Sequence, residues 1–434
     1  MNIIDIIEVK RDGGELSTEQ IEYFVRAYTA GEIADYQAAA LLMAIYINGM
    51  SRRETVDLTL AMAHSGEELD LHDVAPFVVD KHSSGGVGDK TTLVVQPVVA
   101  ACGVPVGKMS GRGLGSSGGT LDKMESIAGW TFNMPLERFK KQLADIGLVL
   151  AGQSMSLAPA DGKIYALRDV TGTVANKSLI AASIMSKKLA GGADGIVLDV
   201  KAGCGAFMQT VDDARDLARI MVDIGVDAGR RTVALISDMN QPLGYAVGNA
   251  LEVKEALDTL HGGGPEDFWR HARKVAGYML LLAGKGETIE EAELLATAAR
   301  ANGQALAKFR EMVIAQGGDV SEIDDPRRLP QARYVSDLVI DHDGYIAAMD
   351  TAALGWASVD LGAGRLLKGD TIDHAVGFLL TTKVGDKVSA GQVIGEVHAN
   401  DEQKMAEAQA QIGAAITVSD KPIEPLPAFY GVVS

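Results

Sequence analysis

Hydrophobic positions in the first 65 residues recur at the three- and four-residue spacing of a helix face. The pattern predicts three short amphipathic helices. The first begins at a capping box at Ser17, Asp35 caps the second, and Ser51 and Glu54 form a capping box at the start of the third.

From about residue 77 the pattern changes to short apolar runs that alternate with helical segments. The runs lie at 77–79, 104–106, 148–150, 196–198 and 232–236. This alternation predicts a mostly parallel sheet covered by helices on both faces. Between 161 and 190 no strand-like run occurs, and the helical segments 163–170 and 177–189 are expected to rejoin the N-terminal helices.

The chain is therefore predicted to be an α/β protein with a small all-helical lobe, a large lobe with a flanked, mostly parallel sheet, and a β-rich C-terminal α+β unit. The helical lobe would comprise 1–70 and 160–192, the large lobe 71–159 and 193–332, and the C-terminal unit 333–434. Strands of that last unit are expected at 345–349, 370–372, 384–388 and 392–397. A cleft between the two lobes is the natural ligand site.

Composition excludes several classes of partner. The 434 residues carry 58 acidic against 40 basic side chains, a net charge of −18, which argues against nucleic acid and anionic membranes as partners. The N-terminus lacks the pattern of a signal peptide, and the longest apolar stretch, 93–106, is too short to cross a bilayer. Cys102 and Cys204 are expected to be small buried thiols, so a cytoplasmic protein is predicted.

Glycine is concentrated where the charge reverses. Residues 81–120 hold ten of the 49 glycines, together with four basic side chains and the single acid Asp89. Glycine-rich loops that enter helices present backbone N–H groups to anions. Two such loops in a locally basic stretch predict an anion site, although a glycine-rich loop can also be a simple tight turn.

The first loop, SGRGLGSSGGTLDKME at 110–125, contains a G-x-G-x-x-G at Gly113, Gly115 and Gly118. A dinucleotide site would also need a ribose-binding acid after a second strand, and only Glu137 lies near that distance, in a helical run. The second loop, KHSSGGVGDKTT at 81–92, suits a phosphate but lacks the Walker spacing. His82 within it is a candidate for catalysis.

These two loops resemble those of the pyrimidine nucleoside phosphorylases, the family that includes bacterial thymidine phosphorylase. The resemblance continues through LRDVTGTV at 167–174, SIMSKK at 183–188, DVKAGCGAFM at 199–208 and MNQPLG at 239–244. It covers nearly the whole chain, in order.

The resemblance implies reversible phosphorolysis: pyrimidine nucleoside and phosphate give free base and α-pentose 1-phosphate, with inversion at C1′. It implies phosphate ligands at Lys81, Ser83, Thr92, Lys108, Ser110 and Thr120. It implies base ligands at Arg168, Ser183 and Lys187, and the candidate catalytic residues are His82, Arg168 and Lys187. No organic cofactor is expected, phosphate being the co-substrate, and a homodimer is implied.

Residue chemistry agrees with these assignments. Ser183 and Lys187 are four residues apart on one predicted helix, so both can face one planar ligand. Arg168 offers fixed N–H donors to a pyrimidine carbonyl on which negative charge develops. His82 can donate a hydrogen bond or proton toward the base O2, or merely position it. The competing interpretation of Arg168, Ser183 and Lys187 is a solvated helix surface.

Catalysis is expected to require closure of the lobes about linkers near 70–77, 152–159 and 191–195. Ser84, Ser116 and Ser117 depart from the residues expected in most relatives, which leaves the sugar contacts open. Lys108 is typical of the broad-specificity members, so the sequence predicts use of uridine as well as thymidine and deoxyuridine.

A monovalent cation such as K⁺ is also a family-level expectation. The matching positions are Gly88, Lys90, Leu243, Ala246 and Glu255. A lysine at 90 fits such a site only if its side chain points away. No His/Cys cluster predicts a transition metal.

Two alternatives stay open. A phosphoribosyltransferase of the anthranilate type shares the architecture but would need acids placed for magnesium and pyrophosphate. A lipoyl-like carrier is suggested by VGDKVSAGQVIGEV at 384–397, but the nearest turn, 341–344, offers no lysine for a cofactor. The C-terminal unit is therefore expected to be structural.

Overall fold

The computed structural model describes residues 1–113, 118–154, 156–367 and 369–434. Gly115, Ser116 and Ser117 of the first glycine-rich loop lie outside the described residues.

The described helices follow in chain order: α1 Ile3–Arg11, α2 Thr18–Thr29, α3 Asp35–Asn48, α4 Arg52–Ala63, α5 Thr91–Ala101, α6 Thr120–Met124, α7 Leu136–Ile146, α8 Pro159–Thr171, α9 Lys177–Ala190, α10 Val211–Asp227, α11 Asn249–Leu260, α12 Glu266–Leu282, α13 Ile289–Ala301, α14 Gln304–Ala315, α15 Ser321–Asp324, α16 Thr351–Leu361 and α17 Glu402–Ala414. The described strands are β1 Val79–Ser83, β2 Val106–Ser110, β3 Leu148–Gly152, β4 Gly195–Ala202, β5 Arg231–Asp238, β6 Ala246–Val247, β7 Tyr334–Val339, β8 Gly344–Met349, β9 Gly377–Leu380, β10 Lys387–Val388, β11 Val393–Ala399, β12 Ile416–Ser419 and β13 Phe429–Val433.

The N-terminal helices form a bundle with α8 and α9. Leu58 of α4, Ile164 of α8 and Leu179 of α9 share one buried apolar cluster with the first three helices. The capping boxes at Ser17 and Ser51 are confirmed. A helix, α1, precedes the three that were predicted, because Asn2 caps it by accepting from Ile4 N.

The prediction for Asp35 is wrong in detail. Ala34 is the N-cap residue of α3, and Asp35 is the first helical residue. Its carboxylate accepts a 3.1 Å hydrogen bond from the Tyr28 hydroxyl instead of capping the helix.

The large sheet confirms the predicted α/β class. Its strand order is β13-β5-β4-β1-β2-β3, with β1 to β5 parallel and β13 antiparallel to β5. One face packs on α5, α11, α12 and α14, and the other on α9 and α10. The chain continues from β1 to β2 on one side of the sheet and from β4 to β5 on the other side. The strand order therefore reverses between the neighbouring strands β1 and β4, which is the topological switch point. Ligands of such sheets bind at the carboxyl ends of the strands at this point.

The C-terminal region combines two small antiparallel sheets, β10-β8-β12 and β6-β9-β11-β7, with α16 and α17. Residues 370–372, predicted as a strand, form none, because Asp370 turns the backbone by accepting from Leu366 N and Leu367 N. The last strand, β13, joins the large sheet although it falls within the predicted unit 333–434.

Two further expectations need correction. Cys102 is only half-buried, at the end of α5, and Cys204 is exposed in the turn after β4, so neither is a fully buried thiol. Glu137 is exposed in the first turn of α7 and follows no strand, which removes the ribose-binding acid from the dinucleotide alternative. In the part of the chain that the structure describes, no helix is long and apolar enough to cross a membrane.

Candidate active site

The second glycine-rich loop connects the end of β1 to the start of α5, at the switch point. Gly88 has a φ of +71°, and a Cβ there would lie 2.7 Å from Leu243 O. The close approach of this loop to the segment between β5 and β6, which carries Leu243, therefore requires glycine. The carboxylate of Asp89 stabilises the loop, because it accepts hydrogen bonds from Ser83 Oγ and, at 3.1 Å, from Thr91 N. The loop is thereby fixed against α5.

Lys81 is the central cation of this site. Its side chain is 1% exposed, yet its nearest carboxylate oxygens in the described residues, on Asp89 and Asp199, lie at 3.9 and 4.0 Å from Nζ. Both distances exceed a hydrogen bond. Burial lowers the pKa of Lys81, while the two aspartates oppose that shift. Lys81 thus holds three N–H donors ready for an anion.

Behind Lys81 lies a buried network that was not predicted from the sequence. Lys201 Nζ donates to Asp199 Oδ2 at 2.8 Å and lies 3.1 Å from His271 Nε2, and Ser237 Oγ donates to Asp199 Oδ1 at 2.6 Å. Burial would raise the pKa of Asp199, but Lys201 and His271 hold it well below its ordinary value. The signal available in the sequence was the position of Asp199 and Lys201 at the end of a buried strand.

A second group of charges fills the space between β1 and β2, which pair at one register position, Val79 with Val106. Lys108 Nζ donates to Lys81 O and lies 3.7 Å from Asp80 Oδ1. Lys188 of α9 donates to Asp80 Oδ2 at 2.7 Å. Burial, followed by the positive charge of Lys188, lowers the pKa of Lys108 to about 7.

Of the remaining predicted phosphate ligands, Thr92 lies in the first turn of α5, Ser110 ends β2 and Thr120 begins α6. Lys123 of α6 reaches the other loop and donates to Asp89 O at 2.8 Å. The structure therefore brings α6 against the loop that carries Ser83.

Buried Asp122 organises the described parts of the first glycine-rich loop. It accepts from Gly113 N at 2.7 Å, from Arg112 Nη1 at 3.0 Å and from Arg365 Nη1 at 2.8 Å. Arg365 comes from the C-terminal region, which accordingly supports this loop.

On the other side, the helical bundle faces the sheet across a cavity of about 320 Å³. Met109, Asp161, Lys187 and Lys188 are among its lining residues, and the volume lies in the range of small-molecule sites. Lys187 Nζ donates to Asp161 and, at 3.1 Å, to Ser183 Oγ. The predicted spacing of Ser183 and Lys187 on one helix is confirmed.

Arg168 is not part of a solvated helix surface. It is 1% exposed, and its guanidinium donates to Thr173 O at 3.2 Å, Leu179 O at 3.0 Å and Val174 O at 2.7 Å. These bonds fix the turn between α8 and α9. They leave two of the five guanidinium N–H groups for other acceptors.

His82 lies in strand β1, where the sequence predicted a loop. Because side chains alternate along a strand, His82 points to the opposite face from Lys81 and Ser83, toward α9. Burial lowers its pKa well below the ordinary value, and Lys188, Lys108 and Lys187 lower it further. The imidazole is therefore neutral near pH 7.

The residues expected for a monovalent cation also meet. Gly88, Leu243 and Ala246 lie together, but the ammonium of Lys90 points inward, 2.6 Å from Glu255 Oε1. Among the described residues, no group of three or more His, Cys, Asp or Glu side chains is placed to hold a metal ion.

Comparison with known proteins covers all three regions. Residues 4–66 match the helical bundle domain of a glycosyl transferase family, residues 75–306 its a/b domain, and residues 345–419 the pyrimidine nucleoside phosphorylase C-terminal domain. The pyrimidine-nucleoside phosphorylase of Geobacillus stearothermophilus is 50% identical over 434 residues, 100% of both chains. That of Staphylococcus aureus strain USA300 is 51% identical over 425 residues, 98% of each chain.

Among solved structures, anthranilate phosphoribosyltransferase from Thermus thermophilus superposes with a TM-score of 0.60 and 22% identity. The match covers 72% of this chain and 99% of that one. At this identity the likeness shows a shared fold alone.

Proposed function

Because the chain belongs to the pyrimidine-nucleoside phosphorylase family, we propose that this enzyme catalyses the reversible phosphorolysis of uridine, thymidine and deoxyuridine. Phosphate attacks C1′ with inversion and gives the free base and α-(deoxy)ribose 1-phosphate. The observation that carries the proposal is the buried ammonium of Lys81, which faces the switch point with its nearest carboxylates beyond hydrogen-bonding distance.

The charge around Lys81 suits phosphate. Lys81, Lys108, Lys188 and Lys201 form a cluster with three aspartates, Asp80, Asp89 and Asp199. When all seven groups are charged, which requires a pH below the Lys108 pKa of about 7, one positive charge is left for an anion, in a chain whose total charge is −18. Ser83 and the first turn of α5, with Thr92, add donors at a helix N-terminus. Ser110 and Thr120 complete the proposed phosphate ligands.

The base is proposed to bind on the bundle side of the cavity. Lys187 Nζ and Ser183 Oγ lie 3.1 Å apart, so both side chains can contact one pyrimidine ring. Arg168 holds the α8–α9 turn and offers its remaining N–H groups to a base carbonyl. These donors stabilise negative charge on the base as the glycosidic bond breaks.

His82 is proposed to donate a hydrogen bond to the base O2. Its lowered pKa makes the neutral imidazole the working form, so it acts as an N–H donor in preference to a protonated acid. Its location supports this role, because it lies on the face of β1 that is turned toward α9.

The sugar, as an oxocarbenium-like species, passes between the base and the phosphate. Phosphate on the sheet side and base on the bundle side must approach each other, so we propose that the lobes close. The chain segments at the start of the predicted linkers are joined to one another, which supports a shared hinge. Leu69 N, just before the linker 70–77, donates to Ala190 O, just before the linker 191–195, at 2.9 Å, and Ser156 Oγ of the linker 152–159 donates to Glu67 at 2.7 Å. Unchanged turnover after the lobes are crosslinked would contradict closure.

The phosphoribosyltransferase alternative is weaker. Binding magnesium and pyrophosphate would need free carboxylates, but Asp80 and Asp199 are each hydrogen-bonded to a lysine and Asp89 accepts from Ser83 and Thr91. The carrier alternative is replaced by the match of residues 345–419 to the phosphorylase C-terminal domain.

The proposal is tested by incubating the enzyme with uridine, thymidine or deoxyuridine, with and without phosphate, and measuring free base. We expect base release from all three, only with phosphate. A Lys108→Met variant should release base from uridine more slowly relative to deoxyuridine, because the buried lysine is proposed to contact the 2′-hydroxyl. No phosphate-dependent release from any nucleoside would refute the assignment, and an unchanged preference in the variant would refute the role of Lys108.

A further inference from the structure

The side chain of Lys90 is completely buried at the base of the phosphate loop. Its Nζ donates to Leu243 O at 2.7 Å and to Ala246 O at 3.0 Å, and it lies 2.6 Å from Glu255 Oε1. The ammonium therefore makes two hydrogen bonds to backbone carbonyls and an ion pair with a carboxylate. The side-chain exposure of Lys90 is 0%.

These oxygens belong to three of the five positions that the family resemblance assigns to a monovalent cation, Leu243, Ala246 and Glu255; the other two are Gly88 and Lys90 itself. Two carbonyls and one carboxylate around a single positive charge satisfy either a bound ion or an ammonium group. Glu255 accepts in addition from Tyr245 N at 2.9 Å and Ala246 N at 2.8 Å, so its carboxylate is held in place whichever cation it faces.

The described residues around Lys90 are closely packed, and the carbonyl oxygens next to its partners are already used by a second lysine. A Cβ at Gly244 would lie 2.1 Å from Glu255 Oε1 and 2.9 Å from Lys90 Nζ. The neighbouring carbonyl oxygens of Pro242 and Gly244 accept from Lys383 Nζ at 2.7 and 2.6 Å, and Lys383 lies 3.0 Å from Asp267. The ring of Phe268 closes the site 5.1 Å from Lys90 Nζ.

We propose that the ammonium of Lys90 replaces the monovalent cation in this enzyme, which therefore neither binds nor requires K⁺. The residues present do not fit an ion in addition to the lysine. A covalently attached cation cannot dissociate, so the loop keeps its support at any salt composition.

The replacement bears on the phosphate site through the backbone. Lys90 is the N-cap residue of α5, next to Thr91 and Thr92, and its side chain ties this helix start to the loop before β6 and to α11. The anchored ammonium thus fixes the helix N-terminus that is proposed to face phosphate.

The test measures the melting temperature, which does not depend on any substrate or on the proposed reaction. The wild-type protein is melted in KCl, NaCl and tetramethylammonium chloride at equal ionic strength. We expect the same melting temperature in all three. A higher value specific to K⁺ would overturn the proposal.

A Lys90→Thr variant should recreate the ion site, since it frees the three oxygens and adds a hydroxyl. In tetramethylammonium it should melt on the order of 5–10 °C below wild type, because Glu255 loses its buried partner. KCl should restore much of that loss. A folded variant without a K⁺ response would contradict the replacement. If the variant does not fold, the wild-type series decides.

Lys140→Thr is the matched control, because Lys140 is a lysine whose ion pair with Asp73 lies at the surface. It should respond to the three salts as wild type does. Phosphorolysis by the wild type, once measured, should likewise be equal in potassium and tetramethylammonium phosphate. An inactive protein would refute the proposed function and leave the melting result standing.

Discussion

Lys188 Nζ, on helix α9 of the bundle, donates a 2.7 Å hydrogen bond to Asp80 Oδ2 on strand β1 of the large sheet. Both side chains are buried, and Lys188 also donates to Met109 O at 3.3 Å. The pair joins the two walls of the cavity directly beside His82. Because Lys188 adds a positive charge there, it lowers the pKa of both His82 and Lys108.

Lys188→Gln should shift the pH dependence of kcat/KM for phosphate. Removing the charge of Lys188 raises the pKa of Lys108 above its present value of about 7, so Lys108 stays protonated to higher pH. We expect the alkaline fall in kcat/KM for phosphate to move upward by about one pH unit. Steady-state kinetics from pH 6 to 9 measure this shift.

The control is Lys177→Gln, on the same helix but paired with Asp213 and Asp216 at the surface. Its profile should match wild type. Identical profiles for the Lys188 and Lys177 variants would show that Lys188 does not set the charge of Lys108.

Lys108→Met should stabilise the protein most at low pH. In the unfolded chain Lys108 stays protonated up to about pH 10.5, and in the native state only up to about 7. Between these values the unfolded state binds more protons, so the free energy of unfolding of wild type rises with pH, and below pH 7 the full penalty of the buried charge remains. The variant lacks this penalty.

We expect the free energy of unfolding of Lys108→Met to exceed that of wild type by about 2–4 kcal/mol at pH 6. This difference should shrink toward pH 10. Thermal unfolding of both proteins across this range is the measurement, with Lys141→Met, at the exposed pair with Asp145, as the control. A difference that is constant or grows with pH would contradict the lowered pKa.

His82→Gln should reduce kcat by roughly 100-fold, the lower end of the range for removing one preorganised hydrogen-bond donor. Because the pKa of His82 lies well below its ordinary value, the imidazole does not titrate between pH 6 and 8. The shape of the kcat profile in that range should therefore be the same in variant and wild type. An ionisation near pH 6.5 that disappears in the variant would show a protonated His82 at work.

Arg168→Met should lose both stability and nucleoside binding. Three backbone carbonyls would lose their charged donor, which costs at least about 3 kcal/mol. We expect a lower melting temperature together with a higher KM for nucleoside. Arg215→Met, at an exposed pair with Asp212, is the control. A variant with wild-type melting temperature would show that the carbonyl contacts do not support the turn.

Local patterns predicted much of the fold. The capping boxes at Ser17 and Ser51 and the existence of five parallel strands follow from neighbouring residues, which is why the sequence alone predicted them. The runs predicted at 77–79 and 104–106 end where β1 and β2 begin, because both strands continue into the polar residues of the glycine-rich loops. The antiparallel strand β13 was missed, because its pairing with β5 joins segments nearly 200 residues apart, and such pairing leaves no local signal.

The same distinction applies to the site. The glycine-rich loops identified the phosphate region, and the helical spacing placed Ser183 beside Lys187. The partners of buried charges could not be predicted: His271 of α12 meets Lys201 of strand β4, and the direction of Lys90 depends on packing around α11. Which residue neutralises a buried charge is decided by tertiary contacts.

We propose that this enzyme transfers a pentosyl group from a pyrimidine to phosphate with inversion. The most direct measurement is NMR of a mixture of enzyme, uridine and phosphate, following ¹H signals of uracil and ³¹P signals of the sugar phosphate. We expect equal amounts of uracil and α-ribose 1-phosphate. Free ribose, the β anomer, or no phosphate-dependent product would contradict it.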